Sequence, residues 1–439
     1  NSSMNQEEQV LLQLKAIIDP DLKKDIVSLG FIKNLTIGEA GAVSFTIELT
    51  TPACPVKDDF KIQAERLVKR LEWVTSVQVD FSAQKKNDAS LKNLARVGSI
   101  IAVSSCKGGV GKSTVAVNLA ACLAKKGAKV GLFDADIYGP SLATMVAYDE
   151  PPELDGKELI PVDASGLKMM SFGFLEDADR AAILRGPMVT QIIHQLLLNT
   201  RWGELDYMIL DFPPGTGDIQ LTLCQLLQIT AAITVTTPQL VSFIDVIKGI
   251  ELFDTLEVPV VGVVENMSYF EVDGQQHFPF GKGSMRRLVH EFGFEHTLQL
   301  PIDESISRGG DTGKPFVLDS SPNSDLFSQF VSDIVQEVSK IAFGPKLLPF
   351  VNFDPKIGVL VKPNNDIQPF HIGAKALRLA CRNATNRNEF TDELLIDPDL
   401  VPVDIHPLSM NPVGNYALGI HWSDGHSSLY PFKQLFEFA

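Results

Sequence analysis

The sequence predicts an α/β protein: a central domain built on a mostly parallel sheet, flanked by a small N-terminal α+β domain and a small β-rich C-terminal domain. Three observations carry this. Between Val97 and Phe343, short apolar runs (SIIAVSS, KVGLFDAD, LDYMILDF, AAITVTT, VPVVGVVENM) alternate with helix-compatible segments, the pattern of buried parallel strands and their crossover helices. The first run opens into a glycine-rich, lysine-bearing loop followed by a helical segment, STVAVNLAACLAKKG. The chain has 439 residues, and at roughly 150 residues per domain that is room for about three.

The elements follow in order. Residues 1–83 read as an α+β unit: a helix over QVLLQLKAI, a turn at Pro20, strands FIKNLTI and AVSFTIEL, a helix through DDFKIQAERLVKRL and a closing strand VTSVQVDF. The polar stretch SAQKKNDASLKN lies across the next boundary, and residues 84–96 read as a linker. Residues 97–343 form the α/β domain. Residues 344–439 return to short strands and turns, with NYALGIHWSDGHSSLYPF predicted as a hairpin around Asp424-Gly425. His421 and His426 flank that turn, where surface placement is expected.

Composition excludes several classes. At 45% hydrophobic and 21% charged residues, the chain has material for packed cores and is not wholesale disordered. No apolar run approaches the ~18 residues of a membrane span, so no integral membrane segment is expected. A net charge of −16 argues against nucleic acid as a general partner. Five cysteines, at 54, 106, 122, 224 and 381, are too few and too scattered for a disulfide framework, and no CxxC pair marks a local metal site. The first residues, NSSMNQEEQV, show neither an apolar signal core nor an Arg-rich transit pattern.

The loop SSCKGGVGKST carries the chemistry. Gly108, Gly109 and Gly111 let the backbone turn so that several N–H groups converge on phosphate oxygens. Lys112 can reach the β- and γ-phosphates, the Ser113 hydroxyl can ligate Mg²⁺, and the following helix N-terminus favours anions. Cys106, Lys107, Val110 and Thr114 complete the predicted nucleotide contact. Downstream, LFDADIYGPS places Asp136 just past a strand. YMILDFPPGTGD ends another strand at Asp211, where a carboxylate can hold a Mg²⁺ water, and Pro213, Pro214 and Gly215 follow as a second switch.

The loop departs from the usual Gly-x₄-Gly-Lys pattern, because Cys106 takes the first glycine position and Lys107 adds a second lysine. This form resembles the MinD, ParA and nitrogenase-iron-protein superfamily of P-loop NTPases. The resemblance implies that Lys107 acts across a dimer interface on the partner's nucleotide, that Asp136 orients the attacking water or Mg²⁺, and that Asn266 in VENMSYF recognises adenine. Together CKGGVGKST, DADIYGPS, DFPPGTGDIQLTL, TTPQ and VENMSYF resemble the Mrp/ApbC branch of iron–sulfur carriers. The N-terminal DPDLKKDIVSLGFIKNL and TTPACPVKD resemble SufT-like iron–sulfur assembly domains. The C-terminal segment, ALRLACRNATNRNEFTDELL through PVGNYALGIHWSDGHSSLYPF, resembles a small domain of unknown mechanism. Those three parts in this order are similar to a plastid type of carrier.

What the resemblance implies is an ATP-, Mg²⁺- and [4Fe–4S]-dependent scaffold or carrier. It is expected to be a homodimer in the plastid stroma, with mitochondrion or cytosol as alternatives. Its partners are upstream cluster donors and apo-proteins, photosystem I among them. The other readings are a client-recruiting adaptor with a non-catalytic nucleotide core and a MinD/ParA-like positioning ATPase. The intact loop and both aspartates oppose the first, and the acidic charge opposes DNA binding by the second. Two departures matter: the CxxC that often follows ENMSYF is replaced by EVDGQQHFPFGKG, and only Cys381 stands where the C-terminal family often has several cysteines. Cys54, between prolines, and Cys381 are therefore read as iron–sulfur ligands, each against the alternative of a buried cysteine. Cys106 reads as loop packing, and Cys122 and Cys224 as core. Four thiolates are the norm for such a cluster, so two from each subunit of a dimer is the simplest supply.

Overall fold

Strands and helices alternate along the chain as the hydrophobic pattern requires. The computed structural model describes residues 5–20, 23–49, 57–83, 92–175, 189–283, 285–343, 348–363, 367–389, 391–413 and 416–439. Cys54 and the expected linker residues 84–91 lie outside them.

The N-terminal segment runs α1 (Gln6–Leu14), β1 (Ile32–Ile37), β2 (Ala42–Leu49), α2 (Lys57–Val68) and β3 (Ser76–Ala83). β2 is central, antiparallel to β1 and parallel to β3, so α2 is the crossover that a parallel pair needs. α1 starts with a capping box: Asn5 Oδ1 accepts from Glu8 N at 2.7 Å, and Glu8 Oε2 accepts from Asn5 N at 3.0 Å. Val10, Leu14, Phe31, Phe45, Ile47 and Phe60 are buried in its core.

The middle of the chain continues with β4 (Val97–Ser104), α3 (Lys112–Lys125), β5 (Val130–Asp134), α4 (Leu142–Met145), β6 (Glu153–Asp155), β7 (Glu158–Ile160), β8 (Val162–Ala164) and β9 (Leu167–Ser171). Then come α5 (Val189–Leu198), β10 (Leu205–Asp211), α6 (Asp218–Leu226), β11 (Ala231–Thr236), α7 (Leu240–Thr255) and β12 (Val260–Glu265). The hairpin β13 (Phe270–Val272) and β14 (Gln275–His277), α8 (Met285–Phe292), β15 (Thr297–Gln299), α9 (Glu304–Thr312) and α10 (Pro322–Phe343) follow. The C-terminal segment holds β16 (Phe350–Asp354), β17 (Gly358–Lys362), β18 (Phe370–Ile372), α11 (Ala374–Leu379), β19 (Pro407–Val413), β20 (Ala417–Trp422), β21 (Ser427–Pro431) and α12 (Phe432–Phe436).

Two compact units divide these elements. The first spans residues 1–101, 116–211 and 308–344. Its larger sheet runs β4-β10-β5-β9-β8. β10, β5 and β9 are parallel, with Asp211 opposite Asp134 and Asp134 opposite Ser171, while β8 adds an antiparallel edge. The second unit spans residues 102–115, 212–307 and 345–439. Here the end of β4 neighbours β11, followed by β12 and β15, the last three parallel. All five runs expected from sequence are strands. β5, β11 and β12 are buried along their whole length, as a sheet covered on both faces demands. Among the described residues no helix is long and apolar enough to cross a membrane.

The C-terminal segment forms two three-stranded antiparallel sheets, β16-β17-β18 and β19-β20-β21. The expected hairpin is β20–β21, and Gly425 in its turn has φ +85°, which glycine adopts freely. Trp422 and Tyr430 are fully buried and satisfied: Trp422 Nε1 donates to Ser428 Oγ at 3.0 Å and Tyr430 Oη to Leu377 O at 2.7 Å. Within the second unit this segment packs on α7 and α8. The Tyr416 ring stacks on Phe294, Tyr416 Oη donates to Asp254 Oδ2 at 3.2 Å, and His290 Nε2 lies 3.3 Å from Asp392 Oδ1.

Candidate functional site

In the second unit, β4 delivers the chain to a loop from Ser105 to Gly111, and α3 begins at Lys112. The loop holds its turn by Ser105 Oγ donating to Lys107 O at 2.9 Å and by positive φ at Gly109 (+77°) and Gly111 (+85°). A Cβ on Gly109 would meet nothing within 4 Å, so φ selects glycine there. One on Gly111 would stand 2.1 Å from Asn266 Nδ2, so space selects it as well. Asn266 lies just past β12 and is 7% exposed. Its Nδ2 donates to Val110 O at 3.0 Å. Asn266, for which the resemblance implies adenine recognition, makes this contact with the phosphate loop.

The two lysines differ. Lys112 is buried, with Nζ 3.3 Å from Ser113 Oγ; Ser113 and Thr114 are half-buried at the start of α3. Lys107 is half-buried, and its Nζ donates to Gln239 Oε1 at 3.1 Å. Gly108 and Gly109 are exposed and, with Lys107, Val110, Thr237, Gln239, Met267 and Phe280, line a cleft of about 250 Å³. Cys106 turns away from it. Its Sγ donates to Asp245 O on α7, and burial pushes its thiol up to about 11. Of the two expectations for Cys106, nucleotide contact and loop packing, this side-chain contact is of the packing kind.

The second switch belongs to the same unit and touches the loop directly. Gly215 N donates to Ser105 O at 2.8 Å. Gln220, 3% exposed on α6, donates through Nε2 to Pro213 O at 2.8 Å and to Pro214 O at 3.1 Å. The sequence reading missed Gln220 and Gln239, although both lie inside segments it singled out, DFPPGTGDIQ and TTPQ.

The acidic residues are arranged in the first unit. Asp211 ends β10, 2% exposed, and its carbonyl accepts from Ala135 N at 2.9 Å. Asp136 is half-buried, its Oδ1 accepting from Gly139 N at 3.2 Å. Asp134, which the sequence reading passed over, organises this turn. Its carboxylate accepts from Asp136 N at 3.0 Å, Ser171 Oγ at 3.1 Å, Ser141 N at 3.3 Å and Leu142 N at 3.4 Å. Four donors on one buried carboxylate fix where Asp136 sits.

The described cysteines are free. Burial raises the thiols of Cys122, Cys224 (to about 12) and Cys381. Cys381 is fully buried, with Sγ 3.4 Å from His426 Nε2. His421 is exposed as expected, but His426 is half-buried and turned inward, and burial lowers its pKa. Beside this pair, buried Arg378 donates through Nε to Asp424 Oδ2 and through Nη1 to Asn386 Oδ1, both at 2.8 Å. Among the described residues no group of three or more His, Cys, Asp or Glu is placed to hold a metal ion.

Comparison with known proteins adds three family matches. Residues 96–339 match the NUBPL iron-transfer P-loop NTPase family, residues 7–80 an iron-sulfur cluster assembly protein family, and residues 362–436 a gamma-butyrobetaine hydroxylase-like N-terminal family. The Arabidopsis thaliana Fe-S cluster assembly factor HCF101, chloroplastic, is 48% identical, over 98% of this chain and 82% of its own length. The rice (Oryza sativa subsp. japonica) protein of the same description is 47% identical over 97% and 82%. An iron-sulfur cluster carrier protein of Synechocystis is 45% identical over 72% and 92%. Among solved structures, a nucleotide-binding protein in complex with ADP from Archaeoglobus fulgidus is 36% identical, covering 53% of this chain and 94% of its own, with a TM-score of 0.47.

Proposed function

The chain belongs to the iron-transfer P-loop NTPase family, and from that membership we propose that it carries [4Fe–4S] clusters to apo-proteins in step with ATP hydrolysis. It is a P-loop ATPase of the iron–sulfur carrier type and works in the plastid, where its relatives from Arabidopsis and rice are placed. ATP is the substrate and the cluster is the cargo.

The observation that carries the coupling is the hydrogen bond from Gly215 N to Ser105 O. A change of phosphate state at the loop pulls on a switch whose two prolyl carbonyls are gripped by Gln220. Such an element has two discrete arrangements that bound phosphate can bias. In this reading the loop N–H groups and Lys112 bind the β- and γ-phosphates. Lys107 works in trans, on the nucleotide of a second copy, where a cation offsets charge growing on the γ-phosphoryl group. Ser113, Asp136 and Asp211 are the residues that would hold Mg²⁺, hard oxygen donors of the kind it takes. When bound it would offset phosphate negative charge, and Asp136 would also orient the attacking water.

We assign recruitment and cluster handling to the flanking parts, residues 1–83 and 344–439, around an ATPase at 97–343. Cys54 and Cys381, two from each copy of a homodimer, are the proposed thiolates, and photosystem I is a proposed client. Burial keeps the Cys381 thiol protonated, so cluster loading there must release a proton.

The test is anaerobic reconstitution of wild type, Cys54→Ser and Cys381→Ser, with iron, sulfide and visible absorbance measured on each. Loss of loading in either variant supports the assignment. Full loading in both discards these ligands while leaving the ATPase reading intact.

A further inference from the structure

The side chain proposed to work outside its own chain is held inside it. Lys107 Nζ lies 3.1 Å from Gln239 Oε1, and both residues line the cleft that also carries Thr237, Met267 and Phe280. Gln239 is the N-cap position of the 16-residue helix α7, yet its side chain makes no capping bond, which leaves its amide oxygen for the lysine. The same helix grips the neighbouring loop residue, since Cys106 Sγ donates to Asp245 O. Gly249 makes room for that sulfur: a Cβ there would stand 2.8 Å from it. Two successive loop residues are therefore tied to one helix, and Gln239 is kept within reach of Lys107.

We propose that Gln239 is a positioning residue that parks Lys107 against its own chain in the open form, and that this contact is surrendered when ATP closes two copies together. The inference rests on the trans role of Lys107 given above. The acceptor is a neutral amide, which holds an ammonium less firmly than a carboxylate does, so release is easy but not free. The residue at 239 then sets the ATP concentration at which closure occurs, and that threshold rises in the order Ala, Gln, Glu.

Two measurements on the full-length chain test this. Nucleotide-free protein is treated with a limiting amine-acetylating ester, and modification of Lys107 is followed by mass spectrometry against exposed Lys69 as internal reference. Separately, the ATP midpoint of dimer formation is read by sedimentation. Gln239→Ala is expected to speed Lys107 labelling and lower the ATP midpoint, each by about three- to tenfold, the range for one partly exposed hydrogen bond to a charged group. The isosteric Gln239→Glu is expected to move both the other way. Unchanged Lys107 labelling in both variants overturns the parking contact, and changed labelling with an unmoved ATP midpoint overturns its role as a threshold. Lys107→Ala separates this from the reading beneath it: normal dimerisation and turnover in that variant sink the trans lysine, whatever the labelling shows.

Discussion

Replacing Gly111 with alanine perturbs the phosphate loop in a way the structure lets us apportion. At φ +85° an L-residue costs about 1–2 kcal/mol relative to its right-handed form. The new Cβ would also stand 2.1 Å from Asn266 Nδ2, where ordinary contact is 3.4–4 Å. Asn266 must then retreat and give up its 3.0 Å bond to Val110 O, a loss of about 1–3 kcal/mol for a buried acceptor. The two parts together predict a local destabilisation of about 2–5 kcal/mol and loss of nucleotide binding. Asn266→Ala removes the second part only. In that background Gly111→Ala is expected to cost just the backbone share, so the double-mutant cycle shows a coupling of about 1–3 kcal/mol. Hydrogen exchange at the Val115 amide, which donates to Gly111 O at 3.1 Å, reads the loop directly, with nucleotide affinity measured in parallel. Strictly additive effects of the two substitutions would refute the brace between Asn266 and the loop.

Two further outcomes follow from the second unit. Burial lifts the Asp254 carboxyl to about 6, against the hydrogen bond from Tyr416 and with a smaller push from Glu251. The folded chain thus holds that proton more tightly than an unfolded chain, whose Asp titrates near ~3.9, and this contribution to stability is lost as pH rises between the two values. Relative to wild type, Asp254→Asn is expected to gain in thermal stability across that window, and a pH-independent difference would contradict it. Arg378→Met leaves the carboxylate of Asp424, an exposed residue, without its cation and Asn386 Oδ1 without this donor. The cost is expected to be about 1–3 kcal/mol in denaturant unfolding. Adding Asp424→Asn should restore part of the loss, and no recovery would count against the pair.

Much of the core was legible in the sequence because its signals are local. The loop from Cys106 to Thr114 is contiguous, its glycines answer to φ and space at single positions, and β4, β5, β10, β11 and β12 announce themselves as apolar runs. Most strands left unread are short or lie at edges: β8 and β15 have three residues each, and β14 is the wholly exposed QQH, too polar and brief for any periodicity. An exception is β9, the five-residue LKMMS between β5 and β8, an internal strand with no β-branched residue to mark it. The site residues left unread act over distance. Gln239 meets Lys107 across 132 positions, Asp134 meets Ser171 across 37, and His426 meets Cys381 across 45. No spacing rule reaches that far. Adenine recognition at Asn266 rests on resemblance alone, and its contact with the loop backbone at Val110, across 156 positions, is equally beyond any spacing rule.

The proposed drive of cluster delivery by nucleotide state at the loop is decided by loading wild-type and Lys112→Ala protein with a [4Fe–4S] cluster under anaerobic conditions. Transfer to an apo-protein acceptor is then followed with and without Mg-ATP, with circular dichroism as the check on fold. ATP-stimulated transfer is expected from wild type and none from Lys112→Ala, with both chains folded and equally loaded at the start. Transfer by the folded Lys112→Ala chain at the wild-type, ATP-stimulated rate would contradict it.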